Sequence, residues 1–364
     1  MKLKVQKDDL INVLQNVQSI VSSRSTLPIL SNILFETGDG ELSITATDID
    51  VSVRTRVRAE VEEEGSTTLP ARRAFSIFRE LPAGVIELDV DADHTATIRA
   101  ASSFFKLNGM DATEFPPLPV FESETSYTLD EVVFREMLQK TSYAASTDET
   151  RYILNGCLLS FRDDKLTCVA TDGRRLALVE QEVEFPKTAE GEMVVPSKTV
   201  NELIRTLGDA GTLTIRAMEN QIAFEFDNML IVSKLIDGTY PNFRQVIPAS
   251  SEVRVELDRE DLQAAVRRAA LLTTAQSNSV RLNLMKNRLE VVTRTPDVGE
   301  ACETVTLKYD GKDVSVAFNP EYLLAPLKTL QSDVVYFEVT DELSPGVLKA
   351  DVPFLYVIMP MRIS

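Results

Sequence analysis

Apolar residues recur along this 364-residue chain at two periods, and each period comes round three times. The helical spacing i, i+3, i+4, i+7 aligns Leu10, Val13, Leu14 and Val17, then Phe134, Met137, Leu138 and Thr141, then Leu262, Ala265, Val266 and Ala269. A second helical set follows a proline in LPARRAFSIFREL (69–81), VPSKTVNELIRTL (195–207) and FNPEYLLAPLKTL (318–330). Its inward residues are Ala74, Ile77, Phe78 and Leu81, then Val200, Leu203, Ile204 and Leu207, then Leu323, Pro326, Leu327 and Leu330. Pro70, Pro196 and Pro320 stand at helix entrances, where the missing N–H is tolerated. Pro326 lies inside its helix, removes one backbone bond and predicts a kink.

Between the helical sets the chain alternates in twos, as in KLKV, LSITAT, SVRTRV, VIELDV, ATIRA, LTIRA, IAFEF and VTLKY, with Gly, Asp and Asn at the joints. Three of these β-rich runs, ELSITATDID (41–50), KLTCVATDGR (165–174) and RLEVVTRTPD (288–297), close on similar turns. Asp48, Asp172 and Asp297 are 124 and 125 residues apart. That period is too long for a solenoid repeat and matches a whole domain. The expected class is α+β, three repeated domains, each with two helices packed on antiparallel sheets. Pro-rich FPPLPVFESET (115–125) and polar PASSEVR (248–254) place the boundaries, giving domains 1–121, 122–249 and 250–364. One core for the whole chain would be unusually large.

The inventory for catalysis is thin. His94, the one histidine, falls in the turn VDADHTAT and reads as a solvated turn residue. Cys157, Cys168 and Cys302 have no CxxC spacing and lie in apolar runs, which predicts buried, reduced thiols and a cytoplasmic location. No phosphate-loop or GxSxG motif occurs, and no cofactor or metal is expected. Asp48, Asp50 and Asp172 can be drawn as the carboxylates of a metal-dependent nuclease. Their equivalent places after strands of the repeat favour turn capping instead. No run of 18 apolar residues is present, so no membrane partner is expected.

Net charge is −18, from 38 Lys+Arg against 56 Asp+Glu, which ordinarily argues against nucleic acid. The charges are segregated. Acid collects in EVEEEG (60–65), ELDVDAD (87–93) and EQEVEF (180–185). The helices carry Lys7, Arg72, Arg73, Arg79, Arg135, Lys140, Lys198, Arg205, Arg267, Arg268 and Lys328 off their apolar stripes. A mixed solvated face explains such a list as readily as a binding surface does. The C-terminal MPMRIS adds Met359, Pro360 and Met361, apolar residues where termini are usually polar, and methionine suits a surface that accepts several apolar partners.

RSTLPILSNILFE (24–36), RYILNG (151–156), ATDGRRLAL (170–178), DGTYPNFRQVIP (237–248) and YVIMPMR (356–362) together resemble the bacterial sliding-clamp family, the beta subunit of DNA polymerase III. The resemblance spans essentially the whole chain. It implies a non-catalytic processivity factor: a head-to-tail homodimer closed into a ring, twelve helices lining a hole that encloses double-stranded DNA. Its other implied partners are the replicative DNA polymerase, the clamp loader, other polymerases and repair proteins, all captured through short linear peptides. On DNA the resemblance points to Arg24 at the pore mouth and to Arg72, Arg73, Lys198 and Arg205 on the pore helices. For the peptide groove it implies Leu154; Thr171, Gly173, Arg174, Arg175 and Leu176; Pro241 and Val246; Asn319 and Tyr322; and Val357, Met359, Pro360, Met361 and Arg362. Of these, Leu154, Leu176, Val246, Val357 and Met359 would form an apolar floor, and Arg175 and Arg362 would meet peptide carbonyls or acids. Arg174 replaces a histidine of the family pattern, Gln245 stands where a basic residue is common, and the loop STDET (146–150) is acidic. A DNA-independent scaffold ring is the remaining alternative.

Overall fold

The structure, a computed structural model, describes residues 1–21, 27–119 and 125–362. In chain order the first stretch holds β1 (Lys2–Gln6), α1 (Lys7–Gln18), β2 (Asn32–Gly38), β3 (Glu41–Thr47), β4 (Val51–Arg58), β5 (Glu60–Glu63), β6 (Gly65–Pro70), α2 (Ala71–Glu80), β7 (Val85–Val90), β8 (Thr95–Ala100) and β9 (Ser103–Asn108). There follow β10 (Ser126–Asp130), α3 (Glu131–Thr141), β11 (Gly156–Arg162), β12 (Lys165–Thr171), β13 (Arg175–Glu182), β14 (Gly191–Pro196), α4 (Ser197–Thr206), β15 (Thr212–Ala217), β16 (Gln221–Phe226) and β17 (Met229–Lys234). The last third holds β18 (Val253–Asp258), α5 (Arg259–Ala269), β19 (Val280–Met285), β20 (Arg288–Thr295), β21 (Gly299–Thr306), β22 (Val314–Phe318), α6 (Pro320–Thr329), β23 (Val334–Val339), β24 (Gly346–Ala350) and β25 (Phe354–Ile358).

The chain forms two compact units, Met1–Val133 with Arg205–Leu235, and Phe134–Ile204 with Ile236–Ser364. In the first unit one sheet runs β5-β1-β7-β8-β9 and another runs β10-β15-β16-β17-β4-β3-β2-β6. In the second unit the sheets run β14-β11-β12-β13-β25-β24-β23-β18 and β21-β20-β19-β22. Each eight-stranded sheet therefore joins strands of two successive repeats. β17 pairs antiparallel with β4, setting Met229 opposite Thr55, and β25 pairs antiparallel with β13, setting Phe354 opposite Val179. Thr55 and Val179 are 124 residues apart, so the two junctions are the same junction made twice.

Helix burial follows the sequence pattern. Leu10, Leu14 and Val17 of α1 are buried over β3 and β4, and Phe78 of α2 meets Phe35 of β2 at a ring separation of 6.4 Å. Burying each such side chain contributes about 1.5–3 kcal/mol, and Leu14→Ala costs roughly 2–5 kcal/mol through the cavity it leaves. In the second unit Leu262, Ala265, Val266 and Ala269 of α5 are buried, and the helix packs against β20, β21 and α6. Asp258 caps α5 by accepting from the Asp261 N–H at 2.8 Å, and Arg267 and Arg268 sit in its last turn, where positive charge complements the helix dipole.

Several expectations are corrected. Cys157 and Cys168 are buried, but Cys302 is exposed, because on β21 the inward positions are Ala301, Glu303 and Val305 and Cys302 alternates outward. VTLKY is mostly not strand: β21 ends at Thr306, and Leu307 and Tyr309 instead donate their N–H groups to the turn residue Asn287. Helix α6 runs on through Pro326 to Thr329, with Pro326 buried. His94 lies in its turn at φ +60°. Among the described residues no helix is long and apolar enough to cross a membrane.

Candidate peptide groove and basic helical faces

The turn between β12 and β13 organises the candidate groove. Gly173 adopts φ +82°, a left-handed conformation that costs an L-residue energy, and the chain reverses there. Asp172 Oδ1 accepts from the N–H groups of Arg174 (2.8 Å) and Arg175 (3.0 Å), while Thr171 Oγ1 donates to Arg175 O and accepts from Gly173 N–H. Asp48 does the same in its own turn, accepting from Asp50 N–H at 2.8 Å and Val51 N–H at 2.7 Å. Turn capping is thus the work of these aspartates, and no cluster of three metal-ligating side chains occurs among the described residues.

Beside the turn lies one apolar cluster. Leu154, Leu158, Val169, Leu176, Leu178, Val194, Tyr240, Phe243 and Val357 are buried, with Ile153, Ile236, Ile247 and Leu355 packed against them. Leu176 and Val357 are directly opposite one another in the β13–β25 ladder, which fixes both in this cluster. Val246 and Met359 are corrected from floor to open surface: they are 47% and 42% exposed, and Met361 is 38% exposed. Phe243 and Tyr240 fill the buried places of the TYPNFRQV segment instead. Sequence reasoning missed these two and Ile247; the signal was their apolar spacing around Pro241, which is itself exposed. The Met-Pro-Met segment is held, not frayed, by Met359 N–H donating to Arg174 O (2.9 Å) and Met361 N–H to Ala317 O (2.8 Å).

Arg175 is also corrected. Its Nε donates to Asp172 Oδ2 at 3.0 Å, both side chains being only 15% exposed, and its guanidinium lies 4.4 Å from the centre of the Tyr322 ring. A charge-assisted bond and a cation–π contact therefore fix it as part of the wall. Arg174 and Arg362 are the exposed cations near the rim. Asn319 caps α6, accepting from Glu321 N–H at 2.9 Å, and so sets the helix that carries Tyr322. A polar recess of about 270 Å³ adjoins this wall, lined by Ser146, Thr147, Asp148, Arg151 and Arg174 among others. Asp148 is engaged within it, accepting from Thr150 N–H and Oγ1, which lowers its carboxyl below the usual range.

The basic helical residues divide. Arg72 and Arg73 are exposed on α2 with no ion-pair partner among the described residues, and Lys198 is exposed on α4. Arg205 is exposed but occupied, donating to Gln15 O (3.5 Å), Asn16 O (2.8 Å) and Ser19 Oγ (3.1 Å) at the C-terminal end of α1, where carbonyls lack helical donors. Lys7 bonds Leu81 O after α2, Lys140 pairs with Glu136 at 2.7 Å and Arg268 with Glu303 at 2.7 Å. Arg24 lies outside the described residues.

Three copies of one α+β module, joined by sheets that cross from repeat to repeat, define a DNA-clamp protein. Family models of the DNA polymerase III beta subunit match in order: the N-terminal domain over residues 1–119, the central domain over 128–242 and the C-terminal domain over 244–362. The beta sliding clamp of Chlamydia pneumoniae is 36% identical over 363 residues, covering 100% of this chain and 99% of that protein, and the Escherichia coli K12 clamp is 33% identical over the full length of both. Among solved structures, the Bacillus subtilis clamp superposes with a TM-score of 0.96 at 30% identity, and a Pseudomonas aeruginosa clamp bound to griselimycin with 0.96 at 32%, each covering 100% of both chains. The chain belongs to the beta sliding clamp family, and is a DNA polymerase processivity factor, not an enzyme.

Proposed function

We propose that two copies of this chain, each divided into domains 1–121, 122–249 and 250–364, join head to tail in a ring that encircles duplex DNA in the cytoplasm and tethers the replicative polymerase. The observation that carries the ring is the repeated junction. β17 and β25 each follow a strand-turn-strand and pair with β4 and β13. By the same register their counterparts in the other repeats are β9 and β21, which are the strands left at sheet edges. A third copy of the junction therefore joins β9 of one chain to β21 of the next, and a second such seam closes the ring. Transferring the register sets Ser103 opposite Glu303, Phe104 opposite Cys302, Phe105 opposite Ala301 and Lys106 opposite Glu300.

A closed ring is retained on DNA by topology, so weak phosphate contacts suffice. Arg72 and Arg73, with Lys198, Arg205 and Arg24, supply them; fewer neutralised phosphates mean less counterion release and a ring free to slide. Polymerase, clamp loader, other polymerases and repair proteins dock by short peptides whose apolar side chains cover Val246, Met359 and Met361 over the Leu154–Leu176–Val357 floor. Thr171, Gly173, Arg174, Arg175, Pro241, Asn319, Tyr322, Pro360 and Arg362 frame that groove.

The test loads the chain onto nicked circular DNA with its clamp loader and then linearises the circle. Retention on the circle and loss from free ends is the expected result; retention after linearisation defeats the ring. Griselimycin, bound in the Pseudomonas structure, probes the groove: it should compete with a polymerase-derived peptide and lose affinity in Met359→Ser. Reversal of charge at Arg72 and Arg73 with undiminished processivity would favour the DNA-independent scaffold.

A further inference from the structure

Pro326 leaves a specific backbone group without its helical partner. Proline has no N–H, so the carbonyl four residues earlier in α6, that of Tyr322, receives no intrahelical bond. A buried carbonyl in that condition normally finds another donor or destabilises the fold. Here the donor comes from a different element. Tyr356 Oη, on β25, donates to Tyr322 O at 2.9 Å.

The bond ties the helix that carries Tyr322 to the strand that carries Val357. Tyr356 is 1% exposed and sits directly opposite Ala177 of β13, between Leu355 and the floor residue Val357. Its ring is 5.9 Å from that of Tyr143. Burial pushes its phenol well above the usual value, and the neighbouring Arg175 guanidinium opposes that rise. The hydroxyl is therefore protonated and available as a donor throughout the working pH range. Tyr322, whose carbonyl it holds, is the residue whose ring carries the Arg175 guanidinium.

We propose that Pro326 and Tyr356 act as a matched pair that positions the Tyr322–Arg175 wall of the peptide groove. Proline opens the α6 ladder at one carbonyl, and the strand that carries the groove floor closes it, so helix and floor are fixed to each other through one hydrogen bond. Both are positioning residues: the bond they share is made below the wall, and the docked peptide meets the wall. This inference rests on the groove reading above.

The experiment is a double-mutant cycle in the full chain, with griselimycin as the probe, read by calorimetry alongside thermal unfolding. Tyr356→Phe leaves the Tyr322 carbonyl unpaired and should weaken griselimycin binding by about five- to tenfold. Pro326→Ala restores an N–H at 326, so Tyr322 O regains a helical bond and keeps a partner when the phenol is lost. In that background Tyr356→Phe should cost clearly less affinity than in the parent, no more than about twofold, because only the tie to the floor is lost. Equal losses in both backgrounds, or a Tyr356→Phe variant that melts earlier yet binds griselimycin unchanged, would overturn the pairing. Failure of the parent chain itself to bind griselimycin would strike the groove reading instead; a cycle in melting temperature would then still show whether the two residues are coupled.

Discussion

Replacing Phe104 and Phe105 with alanine tests the proposed seam where it is most exposed to refutation. The two rings are 55% and 40% exposed on β9, an edge strand. Together they offer about one phenylalanine's surface, ~200 Å², worth at most ~5 kcal/mol if fully covered by a neighbour. Association never recovers the full area value, so we take about 2 kcal/mol per seam as the floor. A ring has two seams, and a loss of ~4 kcal/mol raises the dimer dissociation constant about a thousandfold. Sedimentation equilibrium over a dilution series should show the parent at twice the 40.5 kDa chain mass and the variant falling to the single-chain mass at about thousandfold higher protein concentration than the parent does. Because the rings are exposed in the single chain, its melting should barely move. The register adds a sharper check: Lys106→Glu places like charges opposite one another at Glu300, and Glu300→Lys in the same chain should restore the dimer. A Phe104/Phe105 variant that still sediments as a dimer with unchanged affinity refutes the strand transfer, as does a charge swap that fails to rescue.

Three further outcomes follow from the groove and the thiols. Asp172→Asn removes the carboxylate that holds Arg175 and should weaken griselimycin binding about tenfold; Arg175→Ala should cost as much, and the two together little more, since both break one contact. Gly173→Ala forces an L-residue to φ +82° and brings its Cβ within 3.1 Å of Arg151 Nη1, so chemical denaturation should show a loss of roughly 1–2 kcal/mol with weaker griselimycin binding. In the single chain, before the seam sets Phe104 of a neighbour opposite it, Cys302 is the one thiol of three that a disulfide reagent should reach, and all three should react after unfolding. Burial, with Glu290, Glu300 and Glu303 nearby, raises the Cys302 thiol above its usual value; its thiolate fraction is therefore low at pH 8, and the labelling rate should keep climbing beyond pH 9. Fast labelling of Cys157, whose thiol is held protonated by its contact with Cys168 and by burial, would contradict the packing.

What could be read from the residues was whatever repeats locally. The helix faces were legible because a 3.6-residue period needs no knowledge of the partner, and Leu10, Leu14, Phe134, Leu138, Leu262 and Val266 are all buried as their spacing requires. Asp48 and Asp172 were legible as turn caps because a side chain reaching its own backbone is a local event. Cys302 was misplaced because Ala301 and Cys302 are adjacent and apolar, and a period of two admits only one of them to the core. Arg175 was misread for a different reason: its partner Asp172 is near in sequence, but Tyr322 arrives from another repeat, and nothing in either segment announces the stacking. The crossing of sheets between repeats was equally hidden, since an exposed edge and a paired strand share the same alternation.

Partnering within the fold decides which of the basic side chains are available to DNA. Counted in the sequence, eleven helical cations fit a phosphate-binding surface as readily as a mixed solvated face. In the fold, Lys7 and Arg205 satisfy carbonyls at helix ends, and Lys140 and Arg268 are paired with carboxylates. Those charges are spent on structure, and a duplex reaching them would have to displace bonds already made. Arg72 and Arg73 are exposed and have no ion-pair partner among the described residues. Each phosphate neutralised steepens the salt dependence of binding by about 0.9 in log–log slope, so a surface with several of its cations internally engaged binds more weakly and releases more readily. For a protein held on DNA by closure, that weakness is the property that permits sliding, and it is written into the same hydrogen bonds that cap the helices.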